Sequence, residues 1–274
     1  MNWNRFNEGD LKRTAAVTMV VDHATLCFLE RVIDPETGSI MLFTSQQLYI
    51  ADRIGRAIGR QAFVIFAFCL VEGFFHTRNR GKYLLRLLLA AAVSELPFYL
   101  LNYTGEVGSW QTRSLNTLVT LSMAFAAMWL TETIAMRYIR AAVAMGKEPS
   151  DGEMTACLWP KRAENKVWLR TIAAAACVLG ICLAAKRLNT DYGVMGIAVV
   201  MIFYVLRGIP FAGPVTVLVL LGSWNWMEFF AAPACLMLCM YNGEKGKGGK
   251  AFFYVFYPLH LLILWGLRMV IAGY

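Results

Sequence analysis

Apolar runs long enough to cross a bilayer recur along the whole chain, and that pattern excludes most folds at once. Residues 167–185 and 251–272 each approach the ~20 apolar residues a helix needs to span a hydrocarbon core of about 30 Å. Of the 274 residues, 58% are hydrophobic and 16% charged, whereas a soluble domain carries roughly a quarter charged residues. The first apolar run is followed by others of its kind, so it reads as a span and not as a cleaved signal peptide. Candidate spans fall at 12–31, 57–76, 82–102, 115–138, 167–186, 191–207, 211–223, 225–241 and 251–272. The seventh and eighth are short and meet at Gly222-Ser223-Trp224-Asn225, which predicts a tight hairpin or a re-entrant pair. The expected fold is therefore an all-α, polytopic membrane bundle of about nine transmembrane helices (eight to ten). It forms one domain over 1–274, with a polar connector near 141–166 as its longest soluble stretch.

Charge placement orients the bundle. The net charge is +8, which by itself would allow a nucleic-acid partner. With the N-terminus in the cytoplasm, however, most basic residues fall on the cytoplasmic side, from Lys12 and Arg13 through Arg78, Arg80 and Lys82 to Arg207 and Lys245. Basic loops resist translocation, so this bias is a topology signal. It places the chain in a plasma membrane with the bilayer, not nucleic acid, as its surroundings. The seven cysteines form no CxxC pair, and Cys235 and Cys239, one turn apart, read as small packing residues. The three histidines lack HxxxH or HExxH spacing, so no metal is expected. Nucleophile-elbow, phosphate-loop and dinucleotide signatures are missing too.

Ionisable groups inside a bilayer cost several kcal/mol unless paired or hydrated, so each one is a functional suspect. The first span contains Asp22-His23. Counted from Lys12, His23 lies eleven residues on, about 16 Å deeper and close to the midplane. A dry, neutral imidazole there accepts a proton or attacks a carbonyl. Adjacent helical residues point about 100° apart, so Asp22 is free to pair with a cation on another span. The plainer reading is a polar pair that ties helices together. Glu72 and His76 share a face of the second span, as a local pair or as ligand contacts. Arg78, Arg80, Lys82 and Arg86 form either a phosphate cradle or an ordinary cytoplasmic loop. Glu95 precedes Pro97 in the third span, where proline loosens backbone bonding and often borders a cavity. Arg56 and Arg60 enter the second span from the other side and are suited to an anion, to Asp22 or to Glu95. Glu228 lies in an apolar run with no assignable partner, and His260 follows Tyr257-Pro258 midway along the last span.

The ordered set of motifs resembles the TraX family nearly end to end. It comprises Leu11-Lys12 leading to Met19 and Asp22-His23, Ile54-Gly55-Arg56 and Ile58-Gly59-Arg60, then Phe63, Phe66, Glu72-Gly73-Phe74 and Thr77. It continues with Lys82-Tyr83, Arg86-Leu87, Ser94-Glu95-Leu96-Pro97-Phe98, Asn116 to Leu121, and Asp191-Tyr192-Gly193 with Gly196. The last block runs from Phe253-Tyr254 through Tyr257-Pro258-Leu259-His260-Leu261. TraX-like proteins are associated with N-terminal acetylation of conjugative pilin. They are also similar to transmembrane acyltransferases that carry an Arg, ten residues, and then a catalytic His in the first helix. Here Lys12 stands at the Arg position, which keeps the charge and loses the bidentate fork.

The resemblance implies acetyl-CoA arriving from the cytoplasm and an acceptor arriving from outside, a pilin-like peptide or an envelope glycan. It implies His23 as general base or transient acyl carrier, assisted by Asp22. Lys12, Arg78, Arg80, Lys82 and Arg86 would hold the cofactor, and Arg60, Glu72, His76, Glu95, Asp191, Tyr192, Tyr257 and His260 would complete the site. Two rival readings use the same residues. A transporter or flippase would employ Asp22, Glu95 and Glu228 as a relay, but the internal repeats common in transporters are not visible. A non-catalytic subunit of a conjugation or pilus apparatus would need none of the buried polar groups for chemistry. Lipid-facing and partner-facing surfaces look alike in apolar helices, so the sequence leaves oligomeric state open.

Overall fold

A hydrophobic run becomes a helix in a bilayer because each backbone N–H and C=O must be bonded within the segment. The computed structural model describes residues 5–30, 45–102, 114–136, 165–209, 211–246 and 250–272. The connector expected at 141–166 falls almost wholly outside the described residues. Within them lie nine α-helices: α1 (Glu8–Thr25), α2 (Ser45–His76), α3 (Arg80–Asn102), α4 (Thr117–Thr131), α5 (Asn165–Arg187), α6 (Gly193–Val205), α7 (Ala212–Trp224), α8 (Ala232–Cys239) and α9 (Lys250–Ala272). Each predicted apolar run holds one helix. A π turn extends α1 over Leu26–Glu30 and another extends α4 over Glu132–Met136, and a 3-10 stretch, Trp226–Ala231, leads into α8.

Five of these helices are long and apolar enough to cross a bilayer: Gln46–His76, Arg80–Asn102, Thr117–Met136, Trp168–Arg187 and Phe252–Ile271. The helix α1 has the length, but Glu8, Asp10, Lys12, Arg13 and Asp22 make it too polar to count by composition. The thirteen-residue α6 and α7 reach about 20 Å each, short of a full hydrocarbon core. The helices α7 and α8 form the tight hairpin. Its corner is Asn225, which adopts an extended backbone and accepts a hydrogen bond from the Met227 N–H at 3.1 Å.

The 32-residue α2 is the central post, packed against α1, α4, α6, α8 and the 3-10 stretch. Its buried face supplies Phe63, Val64, Ile65, Ala67, Leu70, Val71 and Phe74 to one apolar core shared with α1, α3, α4, α6, α7 and α8. A second cluster joins Met19 and Cys27 of the α1 segment to Phe98 and Leu101 of α3 and to Tyr257, Leu261 and Leu264 of α9. Val93, Leu96, Leu169, Ile172, Leu179 and Val270 point outward, as lipid-facing residues do.

The α1–α2 seam depends on Gly55 and Gly59, a GxxxG pair that lets two backbones approach closely. A Cβ on Gly59 would overlap the Asp22 side chain, and one on Gly55 would overlap Thr25. Gly59→Leu is therefore expected to force the helices apart at a cost of about 1–3 kcal/mol, read as a lowered melting midpoint in detergent. An unchanged midpoint would mean that the seam tolerates separation.

Candidate active site

Five helices and the connecting segments before α6 and α9 converge on one open cavity of about 660 Å³, within the size range of small-molecule sites. Its mouth is lined by Glu8, Lys12 and Arg13 from α1, Glu72 and His76 from α2, Arg86 from α3, and Lys245. Its inner end is lined by Asp22 and His23 from α1, Gly59 from α2, Thr117 from α4, Asp191 and Tyr192 before α6, and Tyr257 from α9.

His23 is held from behind by α9. Phe252, Phe256 and His260 recur every fourth residue on one face of that helix and stack as a ladder. Ring centroids lie 5.3 Å apart for Phe252 and Phe256, 5.1 Å for Phe256 and His260, and 5.0 Å for His260 and His23. His260 is 6% exposed and does not line the cavity. Its Nε2 lies 2.7 Å from Nδ1 of His23, and its own Nδ1 lies 2.9 Å from the Phe256 carbonyl oxygen.

Those two contacts fix the tautomers. A carbonyl only accepts, so His260 Nδ1 carries a hydrogen and donates it to Phe256. The Nε2 of a neutral His260 is then an acceptor, and His23 Nδ1–H donates to it. Nε2 of His23 is left with its lone pair free among the described residues. That is the arrangement of a general base whose orientation is set by a partner on the opposite ring nitrogen.

Asp22 does not share in this bond. It points to α2, where its carboxylate lies 2.9 Å from Arg56 and 3.8 Å from Arg60. Arg60 in turn pairs with Glu228 of the 3-10 stretch at 3.0 Å, and Glu228 is 1% exposed. The pairing of Asp22 with a cation on another helix is thus as expected, and Glu228 gains the partner that its sequence context did not reveal. Because ions in a low-dielectric interior persist only when compensated, the Asp22–Arg56–Arg60–Glu228 set reads as the pin that fixes α1, α2 and the α7–α8 hairpin around the site.

A third polar group borders the inner end. Backbone bonds tie Leu115 to Asn189 and Asp191 to Leu115, at 2.9 and 2.8 Å. The Asp191 carboxylate accepts hydrogen bonds from the Thr117 hydroxyl and from the Tyr192 N–H, and its carbonyl accepts one from Thr120. Tyr192 stacks on Phe63 at 3.8 Å. Glu95 accepts from the Asn116 side chain at 2.5 Å, and Asn116 also donates to the Ala91 carbonyl at 2.8 Å. Glu95 therefore anchors the start of α4 and does not line the cavity. Tyr257 is buried beside His23, with ring centroids 6.4 Å apart.

The mouth differs from the predicted cradle. Of the four cations expected to hold phosphates beside Lys12, Arg86 lines the cavity, whereas Arg78, Arg80 and Lys82 do not. Arg80 lies over the Phe74 ring at 4.1 Å, and Arg78 and Lys82 face outward. Lys82 and Arg86 lie four residues apart on one face of α3, and of the four only Arg86, one turn further along the helix, lines the cavity, while Arg78 precedes the helix. Glu72 and His76 do meet, through a 2.8 Å contact between the His76 ring and the Glu72 carbonyl oxygen. The Glu72 carboxylate is engaged by Arg207 at 2.8 and 3.2 Å. The sequence reading gave no site role to Arg13, Lys245 or Thr117. The block Asn116 to Leu121 was the available signal for Thr117, and for Arg13 only its place beside Lys12. Lys245, in a loop, had none.

These features define a polytopic helical membrane protein whose open cavity ends on a paired histidine. The chain belongs to the TraX family, whose model, described as TraX protein, matches residues 8–148 and 153–268. It is 29% identical over 283 aligned positions, covering 96% of each chain, to a probable fimbrial assembly protein FimC, serogroup H1, of Dichelobacter nodosus. No solved structure matches it.

Proposed function

We propose that this protein is a multi-pass inner-membrane acyltransferase of the bacterial cell that moves an acetyl group from cytoplasmic acetyl-CoA to an amine or hydroxyl presented from the opposite side. The observation that carries the reading is the free Nε2 of His23 at the inner end of the cavity, with its other nitrogen donated to His260. Membership of the TraX family and similarity to a fimbrial assembly protein support a pilus-related acceptor.

Basic residues at the cavity mouth support an N-terminus in the cytoplasm. The thioester enters at that mouth with its arm along the Phe252–Phe256 face. The acceptor reaches the Asp191–Thr117 end. The acceptor nitrogen or oxygen attacks the thioester carbonyl carbon, and His23 Nε2 takes its proton. The tetrahedral intermediate collapses with cleavage of the C–S bond, and the departing CoA sulfur receives that proton from His23. The products are the acetylated acceptor and free CoA. Asp22, with Arg56 and Arg60, holds the backbone of His23 in place and takes no proton.

Purified protein in nanodiscs, given acetyl-labelled CoA, is expected to bind the donor and to release or transfer label slowly, and His23→Ala is expected to stop this without loss of donor binding. Turnover by a folded His23→Ala variant at the normal rate would refute the assignment. Solute uptake without any dependence on CoA would establish the transporter reading in its place.

A further inference from the structure

Charge at the cavity mouth does not cancel. Lys12 is paired with Glu8, Arg13 with Asp10 at 2.6 Å, and Glu72 with Arg207. Arg86 and Lys245 also line the cavity, and neither meets a carboxylate among the described residues. The only hydrogen bond of the Arg86 side chain among those residues is from Nε to the Lys82 carbonyl at 3.1 Å, with the guanidinium 5.9 Å from the Tyr83 ring.

Lys245 is not on a loosely attached loop. The segment before α9 is stitched to the start of α1 by main-chain bonds, with the Arg5 N–H donating to the Met240 carbonyl at 2.9 Å, the Asn242 N–H to Phe6 at 2.9 Å, and the Glu8 N–H to Glu244 at 2.8 Å. Gly246, at φ +63°, lies so close to Asn7 that a Cβ there would overlap its side chain. This tight turn sets Lys245 over the first turn of α1, on the rim of the cavity.

We propose that Arg86 and Lys245 form the anion site that holds the phosphates of the acyl donor, in place of the Arg78–Lys82 run. The proposal rests on the donor reading above and narrows it. The start of α1 at Glu8 and His23 are separated by about 22 Å along the helix. A donor bound at both points carries its negative charge at the far end of an extended arm, as a nucleotide-headed thioester does. Small acyl phosphates, whose charge adjoins the reacting carbon, do not fit that separation.

The test uses full-length protein in nanodiscs and two probes, CoA and pantetheine, which keeps the thiol arm and lacks the nucleotide phosphates. Lys245→Glu and Arg86→Glu are each expected to weaken CoA binding by about 10–100-fold, the range for a lost charge-assisted contact. The loss should be larger at low salt, and pantetheine affinity should stay within about twofold. Lys245→Arg should retain CoA binding, which separates charge from folding. The inference is overturned if Lys245→Glu leaves CoA affinity unchanged, if pantetheine weakens in step, or if Arg78→Glu with Lys82→Glu produces the loss. Wild-type protein that binds neither probe would instead overturn the donor reading itself, and this site with it.

Discussion

His23→Ala is expected to lower acetyl transfer by about 10²–10⁴-fold, the usual contribution of a positioned general base. Two substitutions at His260 sharpen this result, because His260 touches His23 and not the cavity. His260→Phe keeps a ring in the Phe252–Phe256 stack and removes the acceptor for His23 Nδ1–H. The His23 hydrogen is then free to move to Nε2, the nitrogen that must stay bare, so kcat should fall while the KM for acetyl-CoA holds. His260→Gln supplies an amide oxygen that accepts from Nδ1–H, and it should recover part of the rate. A role for His260 in packing alone predicts the reverse order, with Phe better than Gln, and that ranking would sink the proposed tautomer.

The second large effect belongs to the buried ion set. Arg60→Leu leaves Glu228, 1% exposed, without its 3.0 Å partner. Breaking a buried pair by removing one member costs about 3–5 kcal/mol, enough to unfold many proteins of ordinary stability. The double change Arg60→Leu with Glu228→Leu removes both charges and should restore most of that loss, since an apolar pair of similar volume often substitutes for a buried ion pair. Asp22 keeps Arg56 at 2.9 Å in both variants, so the two measurements isolate the Arg60–Glu228 link. Denaturation in detergent checks it, and strict additivity of the two single losses would show that the groups do not interact.

The Ile-Gly-Arg repeat shows why part of the site was readable in advance. Its glycines and arginines recur at helical spacing within one segment, so one face of α2 presents both Gly55 and Gly59 for close approach and both Arg56 and Arg60 near Asp22. Both triplets are used, and neither is a spare copy. Asp22 was predictable as a partner of a distant cation because an unpaired carboxylate is too costly in hydrocarbon. Glu228 followed the same rule, but its partner is 168 residues away, and nothing local pointed to it. The Arg78–Lys82 run is the opposite case. Closely spaced cations look like a cradle in a linear chain, yet Arg78 precedes α3 and Arg80 and Lys82 sit in its first turn, so that of the four only Arg86 lines the cavity.

Hydropathy along the chain located each described helix, because a backbone in lipid has no alternative to internal hydrogen bonding, though α2 starts at Ser45, well before its apolar run. It also marked His23, Asp22, Glu228 and His260 as residues needing an explanation, since polar groups are expensive there. Only the tertiary structure decided which of them meet. The His23–His260 contact joins α1 to α9 across 237 positions, and the resulting tautomer exists only through that contact. Lys245 reaches the cavity through a main-chain zipper between two loops. Such contacts depend on helix phase and chain crossing, quantities that a one-dimensional pattern of apolar and polar residues does not contain.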